Sequence, residues 1–76
     1  MISFMDKRSY FWIPRSEVAF FQSLVDSTDN IARIRTEQNT ETEAKIILIY
    51  DSSLEAEVRD LVRYYEQESG NIAKTV

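Results

Sequence analysis

The order of patterned segments predicts an α+β fold in two layers, with both helices on one face of an antiparallel sheet. Three observations carry this. Runs rich in aromatic and β-branched residues lie at residues 7–13 (KRSYFWI), 31–36 (IARIRT) and 44–50 (AKIILIY), the composition of strands. Apolar stripes at helical spacing fill residues 15–27 and the stretch after residue 53. Right-handed crossovers between strands of one sheet then put both helices on the same side.

Each element has local reasons. Pro14 stops the first strand, in which Phe11 and Ile13 share one face and Arg8, Tyr10 and Trp12 the other. Ser16 is placed to cap the first helix, with Glu17 in its first turn and Val18, Phe21, Leu24 and Val25 as its apolar stripe. Thr28, Asp29 and Asn30 read as the turn that ends it. In the second strand Ala32, Ile34 and Thr36 share one face, and Ile31, Arg33 and Arg35 the other. Residues 37–43 (EQNTETE) form an acidic hairpin loop. The four consecutive aliphatics Ile46 to Ile49 mark a strand covered on both faces, or on one face by a partner.

Ser52 and Glu55 have capping-box spacing ahead of the second helix, whose stripe is Leu54, Val58, Leu61, Val62 and Tyr65. Glu55 and Arg59 form an i,i+4 pair. Gly70 suits the left-handed residue that follows a helix, and residues 71–76 supply a short fourth strand. The expected organisation is a loose arm over residues 1–6 and one domain over 7–76. Its order, βαββα with an optional last strand, is the ferredoxin-like, split βαβ arrangement.

Composition excludes several chemistries. Among 76 residues there is no Cys and no His, and only one Gly. Disulfides, thiol or histidine catalysis and Cys/His zinc sites are therefore ruled out, as are Gly-rich phosphate loops. The helix carboxylates Glu55, Glu57 and Asp60 fall on a solvent face, and Glu37, Glu41 and Glu43 lack Ca²⁺-loop spacing. The expectation is a protein without catalytic residues, metal or cofactor. No apolar run approaches the roughly 20 residues of a membrane span. Residues 1–5 lack the basic stretch and long apolar core of a signal peptide, so a cytoplasmic location is expected.

The charge is unevenly placed. Net charge is −4, yet the three strand segments hold Lys7, Arg8, Arg33, Arg35 and Lys45 and no acid. Alternation puts Arg8, Tyr10, Trp12, Ile31, Arg33, Arg35, Lys45, Ile47 and Ile49 on the sheet face away from the helices. An open face mixing two aromatics, aliphatics and cations marks a contact surface. The first expectation is a self-associating interaction module, a homodimer paired through this face, with another protein as the other partner class. The alternative is single-stranded nucleic acid or another anion, with Tyr10 and Trp12 stacking and Arg33, Arg35 and Lys45 neutralising phosphate. Ile47 and Ile49 stand where such sheets carry stacking aromatics, and the net charge repels a polyanion.

Strand 1, the Pro14 turn before an aromatic-rich helix, IARIRT, the hairpin, AKIILIY and a capped helix together resemble an ACT-type small regulatory domain. They are also similar to small uncharacterised bacterial domains of the same element order. The resemblance spans residues 8–72. It implies pairing through sheets or helices, and an amino-acid-like ligand near the turn after strand 1, which here is Pro14, Arg15 and Ser16.

Overall fold

The computed structural model describes residues 6–28 and 31–76. Strand β1 (Asp6–Pro14) leads through a 3-10 turn (Arg15–Glu17) into helix α1 (Val18–Asp26). Strands β2 (Arg33–Asn39) and β3 (Glu43–Asp51) form a hairpin. A second 3-10 turn (Ser52–Leu54) then opens helix α2 (Glu55–Ser69), and β4 (Lys74–Thr75) follows. The fold is α+β, with a four-stranded sheet in the order β2-β3-β1-β4 and every neighbouring pair antiparallel. This layout is consistent with a ferredoxin-like one.

The core lies between the helices and one sheet face. Ile13, Ile46 and Leu48 from the strands meet Phe21 and Tyr65 from the helices, all fully buried. Val25, Val58, Leu61 and Tyr50 complete it, with Phe11 and Ile34 packed at its margin. Burying each such side chain stabilises the fold by about 1.5–3 kcal/mol. The Phe21 and Tyr65 ring centroids lie 4.7 Å apart at a tilt of 46°, which ties α1 to α2. The Tyr50 hydroxyl shares a 2.7 Å hydrogen bond with Ser9 Oγ, so its polar tip is satisfied while its ring is buried.

Several boundaries differ from expectation. Asp6, expected in the arm, belongs to β1 and pairs with Asp51 of β3; the other residues of the expected arm, 1–5, lie outside the described residues. Ser16 is no cap: it sits inside the 3-10 turn, and α1 starts after Glu17 with no side-chain cap. Pro14, with its fixed φ, launches the tight turn directly. The end of α1 is closed instead by Ser27 and Thr28, whose hydroxyls donate to the carbonyls of Leu24 and Val25 at 2.8 and 2.7 Å. Asp29 and Asn30 of the expected turn lie outside the described residues.

The expected cap at Ser52 shifts by one residue, because the Asp51 carboxylate accepts from Ser53 N–H at 2.8 Å. Glu55 is therefore released from the capping box and turns to Lys7 at 2.6 Å and Arg59 at 3.3 Å. The left-handed residue is Gly70, at φ 74°, with its N–H on the Glu66 carbonyl.

Strand β2 starts later and runs longer than its sequence suggests. Glu37, Gln38 and Asn39 are polar, but Gln38 and Asn39 pair with Lys45 and Ala44 of β3, and Glu37 falls at the register shift between Thr36 and Gln38. Only Thr40, Glu41 and Thr42 remain as the hairpin turn. It is closed by the Thr40 hydroxyl, which accepts from Glu43 N–H at 2.9 Å. The strands as formed thus include Asp6, Glu37, Glu43 and Asp51. They are free of acid only in their middles.

Candidate functional site

The face of the sheet turned away from the helices is built row by row from the strand register. Ile49 of β3 lies between Arg8 of β1 and Arg33 of β2, and Ile47 lies between Tyr10 and Arg35. Lys45 lies between Trp12 and Gln38, and Lys74 of β4 stands on the far side of Trp12. Since Phe11, Ile13, Ile46 and Leu48 point to the helices, alternation sends all of these to the other face. Eight of the nine residues expected there are thus brought together. Arg8, Tyr10 and Trp12 line the β1 flank, Ile49, Ile47 and Lys45 the centre, and Arg33, Arg35 and Gln38 the β2 flank.

Ile31 is the exception. It precedes the start of β2 at Arg33 and packs against the core on the helix side. Outside the ladder the period of two no longer assigns its face, and an aliphatic side chain is drawn inward.

The face is not uniformly open. Ile47 is only 8% exposed although no described helix lies on this face, and Tyr10 and Arg35 stand on either side of it in the row. Tyr10 and Trp12 are half-buried. Trp12 thus presents less apolar area than a fully exposed indole, and Lys45 and Lys74 are its partners on the two neighbouring strands. The Lys45 ammonium lies 5.3 Å from the Tyr10 ring centroid, within cation–π range, and 3.5 Å from the Glu37 carboxylate. Lys74 meets Glu43 at 3.1 Å.

The three arginines differ from the lysines. Among the described residues the Arg8, Arg33 and Arg35 side chains have neither ion pair nor hydrogen bond, and all three residues are exposed. Three unpaired guanidiniums therefore surround a strip made by Tyr10, Ile47 and Ile49. Guanidinium groups stack on aromatic faces and bind carboxylate or phosphate, so the face can recognise aromatic or anionic partners.

The Pro14, Arg15 and Ser16 turn lies at the opposite end of the strand from Asp6. Arg15 N–H donates to the Thr42 carbonyl at 2.8 Å, and its guanidinium donates to the Thr40 carbonyl at 3.3 Å. Arg15 thereby fastens the turn to the β2–β3 hairpin. Sequence alone could not reveal this use, which depends on how far β2 extends.

No family model, curated protein or solved structure matches the chain. Among the described residues no helix is long and apolar enough to cross a membrane.

Proposed function

We propose that the chain is a non-catalytic interaction module that pairs with a second copy of itself through the open sheet face. The observation that carries this is the crosswise order of the Ile47 row, with Tyr10 on one side and Arg35 on the other. A twofold axis running along β3 in the plane between two such faces brings the β1 flank of one copy over the β2 flank of the other. Tyr10 then meets Arg35 of the partner subunit, and Ile47 and Ile49 stack on their own equivalents. An isologous contact needs this self-complementarity. Each guanidinium–aromatic contact favours association by about 0.5–2 kcal/mol.

The face is three strands wide and a few rows deep, on the order of 300–400 Å² in projection at about 4.8 Å per strand and about 7 Å per row. The two faces together come to about 600–800 Å², below the roughly 1,200 Å² of stable interfaces, so the pair is weak and concentration-dependent. The element order fits the split βαβ, ferredoxin-like topology, and the resemblance to ACT-type domains agrees with pairing through sheets.

The unpaired Arg8, Arg33 and Arg35 favour one second reading, an anion or single-stranded nucleic acid on the same face. Trp12, the single tryptophan, tests the first reading. Its emission shifts to the blue as concentration rises if a second face covers it, and the shift is absent in Arg35→Glu. Emission that does not depend on concentration contradicts self-association. Saturable binding of a labelled oligonucleotide at low salt then supports the second reading, because phosphate contacts strengthen there.

A further inference from the structure

We infer that the outer edge of β2 takes an extended, acidic segment of a partner protein as an added strand. Strand β2 stands at one end of the sheet order, paired with β3 on one side only. It is an interior stretch of the chain, between α1 and the hairpin to β3. In an antiparallel ladder alternate residues turn their N–H and C=O groups away from the neighbouring strand. Along Arg33, Ile34, Arg35 and Thr36 no backbone group on that outer side is bonded among the described residues. The register shift after Thr36 ends this regular stretch. An unpaired edge of this kind is a template for strand addition.

The side chains of this edge select what can pair with it. Arg33 and Arg35 are two residues apart, so both stand on the face turned away from the helices, and both are exposed. Among the described residues no carboxylate lies within ion-pair distance of either. The strand's own acid, Glu37, falls at the register shift and meets Lys45 at 3.5 Å. Residues directly opposite on antiparallel strands share a face. An added strand of alternating acidic and apolar residues therefore sets its carboxylates beside Arg33 and Arg35 and its apolar side chains on the helix side. There they continue the layer beneath α1, which packs on β2, and cover Ile34, which is only partly buried. A segment of about four residues, roughly 14 Å long, spans Arg33 to Thr36. A second copy of this chain is a poorer occupant. Every antiparallel register of β2 on its own equivalent within those four residues sets an arginine opposite an arginine. A basic strand is refused for the same reason.

The test is fluorescence anisotropy with a labelled eight-residue peptide of alternating glutamate and valine, titrated with the intact protein at low and moderate salt. The controls are a lysine–valine peptide, two glutamate–valine peptides N-methylated at the glutamates or at the valines, and the Arg33→Glu/Arg35→Glu variant. Both arginines are exposed, so their reversal leaves the core untouched. Saturable binding by the acidic peptide is expected, weakened tenfold or more by the double variant, which binds the lysine–valine peptide instead. Only one N-methylated peptide loses binding, because a single edge of the added strand meets β2. No saturation up to about 1 mM, equal binding of the two N-methylated peptides, or a double variant that binds like the parent overturns the inference. It stands apart from self-association through the sheet face. Tyr10→Ala, two strands from this edge, removes an aromatic contact of the proposed dimer and keeps peptide binding; loss of binding in that variant also overturns the inference.

Discussion

Tyr10 and Arg35 stand on opposite sides of Ile47 in one cross-strand row, and Ile47 between them is 92% covered with no helix above it. The row explains how an outer sheet face can hold an aliphatic centre inside a net-acidic chain. It also fixes which flank is aromatic and which is cationic, from which the direction of pairing follows.

Salt separates the two readings of this face. In the twofold arrangement the Ile49 row sets Arg8 against Arg33 of the partner subunit, a like-charge contact screened by added salt. The proposed dimer is expected to tighten between about 50 and 500 mM NaCl, measured as its dissociation constant by dilution. A phosphate-bound complex weakens over the same range. A dimer that loosens steeply with salt contradicts the proposed orientation.

Tyr65 is fully buried and its hydroxyl makes no hydrogen bond of good geometry among the described residues, the Ser69 side chain giving it only a weak contact. An unsatisfied buried hydroxyl costs about 1–3 kcal/mol. Tyr65→Phe should therefore leave stability unchanged or raise it by about 1 kcal/mol, read from the urea midpoint. A loss of that size contradicts the unsatisfied state. Burial also raises the Tyr65 pKa above its usual value. The unfolded chain then ionises first as pH climbs past about 10. This contribution is complete below that pH and is lost as pH rises through the folded value. In an alkaline titration followed at the phenolate absorbance, Tyr65→Phe should remove a component that ionises above the ordinary tyrosine value.

Lys7 and Glu55 bracket a broad pH plateau. Their contact with each other raises the Lys7 pKa and lowers that of Glu55. The Glu55 contribution is present above its unfolded value, about 4.3, and is lost as pH falls through the lower folded value. The Lys7 contribution is full below about 10.4 and fades as pH rises through the higher folded value. With no histidine in the chain, the urea midpoint should stay flat from about pH 6 to 9. Glu55→Gln should make the acid limb shallower while leaving that plateau flat. A titration step near neutrality contradicts this account.

Gly70 holds φ at 74° with nothing within 4 Å of where a Cβ would sit. The cost of Gly70→Ala is then backbone strain alone, about 1–2 kcal/mol. Gly70→Asn should cost less, since asparagine tolerates the left-handed region. Equal midpoints for the alanine variant and the parent contradict the left-handed closure of α2.

The topology and most of the face were legible because one residue type decides each. Phe11 and Ile13 had to turn inward, so Tyr10 and Trp12 had to turn outward. What local pattern misread depended on pairing. Ile31 fits a strand by composition, but the ladder starts two residues later and leaves it to pack inward. Gln38 and Asn39 look like loop until β3 pairs with them across the register shift at Glu37. Ser52 and Glu55 have capping-box spacing, yet Asp51 is nearer the first free amide and Glu55 is held by Lys7 from across the sheet. The acid-free appearance of the strands came from placing their ends too early.

Sedimentation equilibrium from about 1 µM to 1 mM, the range suited to a small interface, tests the central claim most directly. The account predicts a mass rising from the 8.9 kDa protomer toward twice that value, with Ile47→Glu and Arg35→Glu held at the protomer mass. An unvarying 8.9 kDa for the parent chain across that range contradicts it.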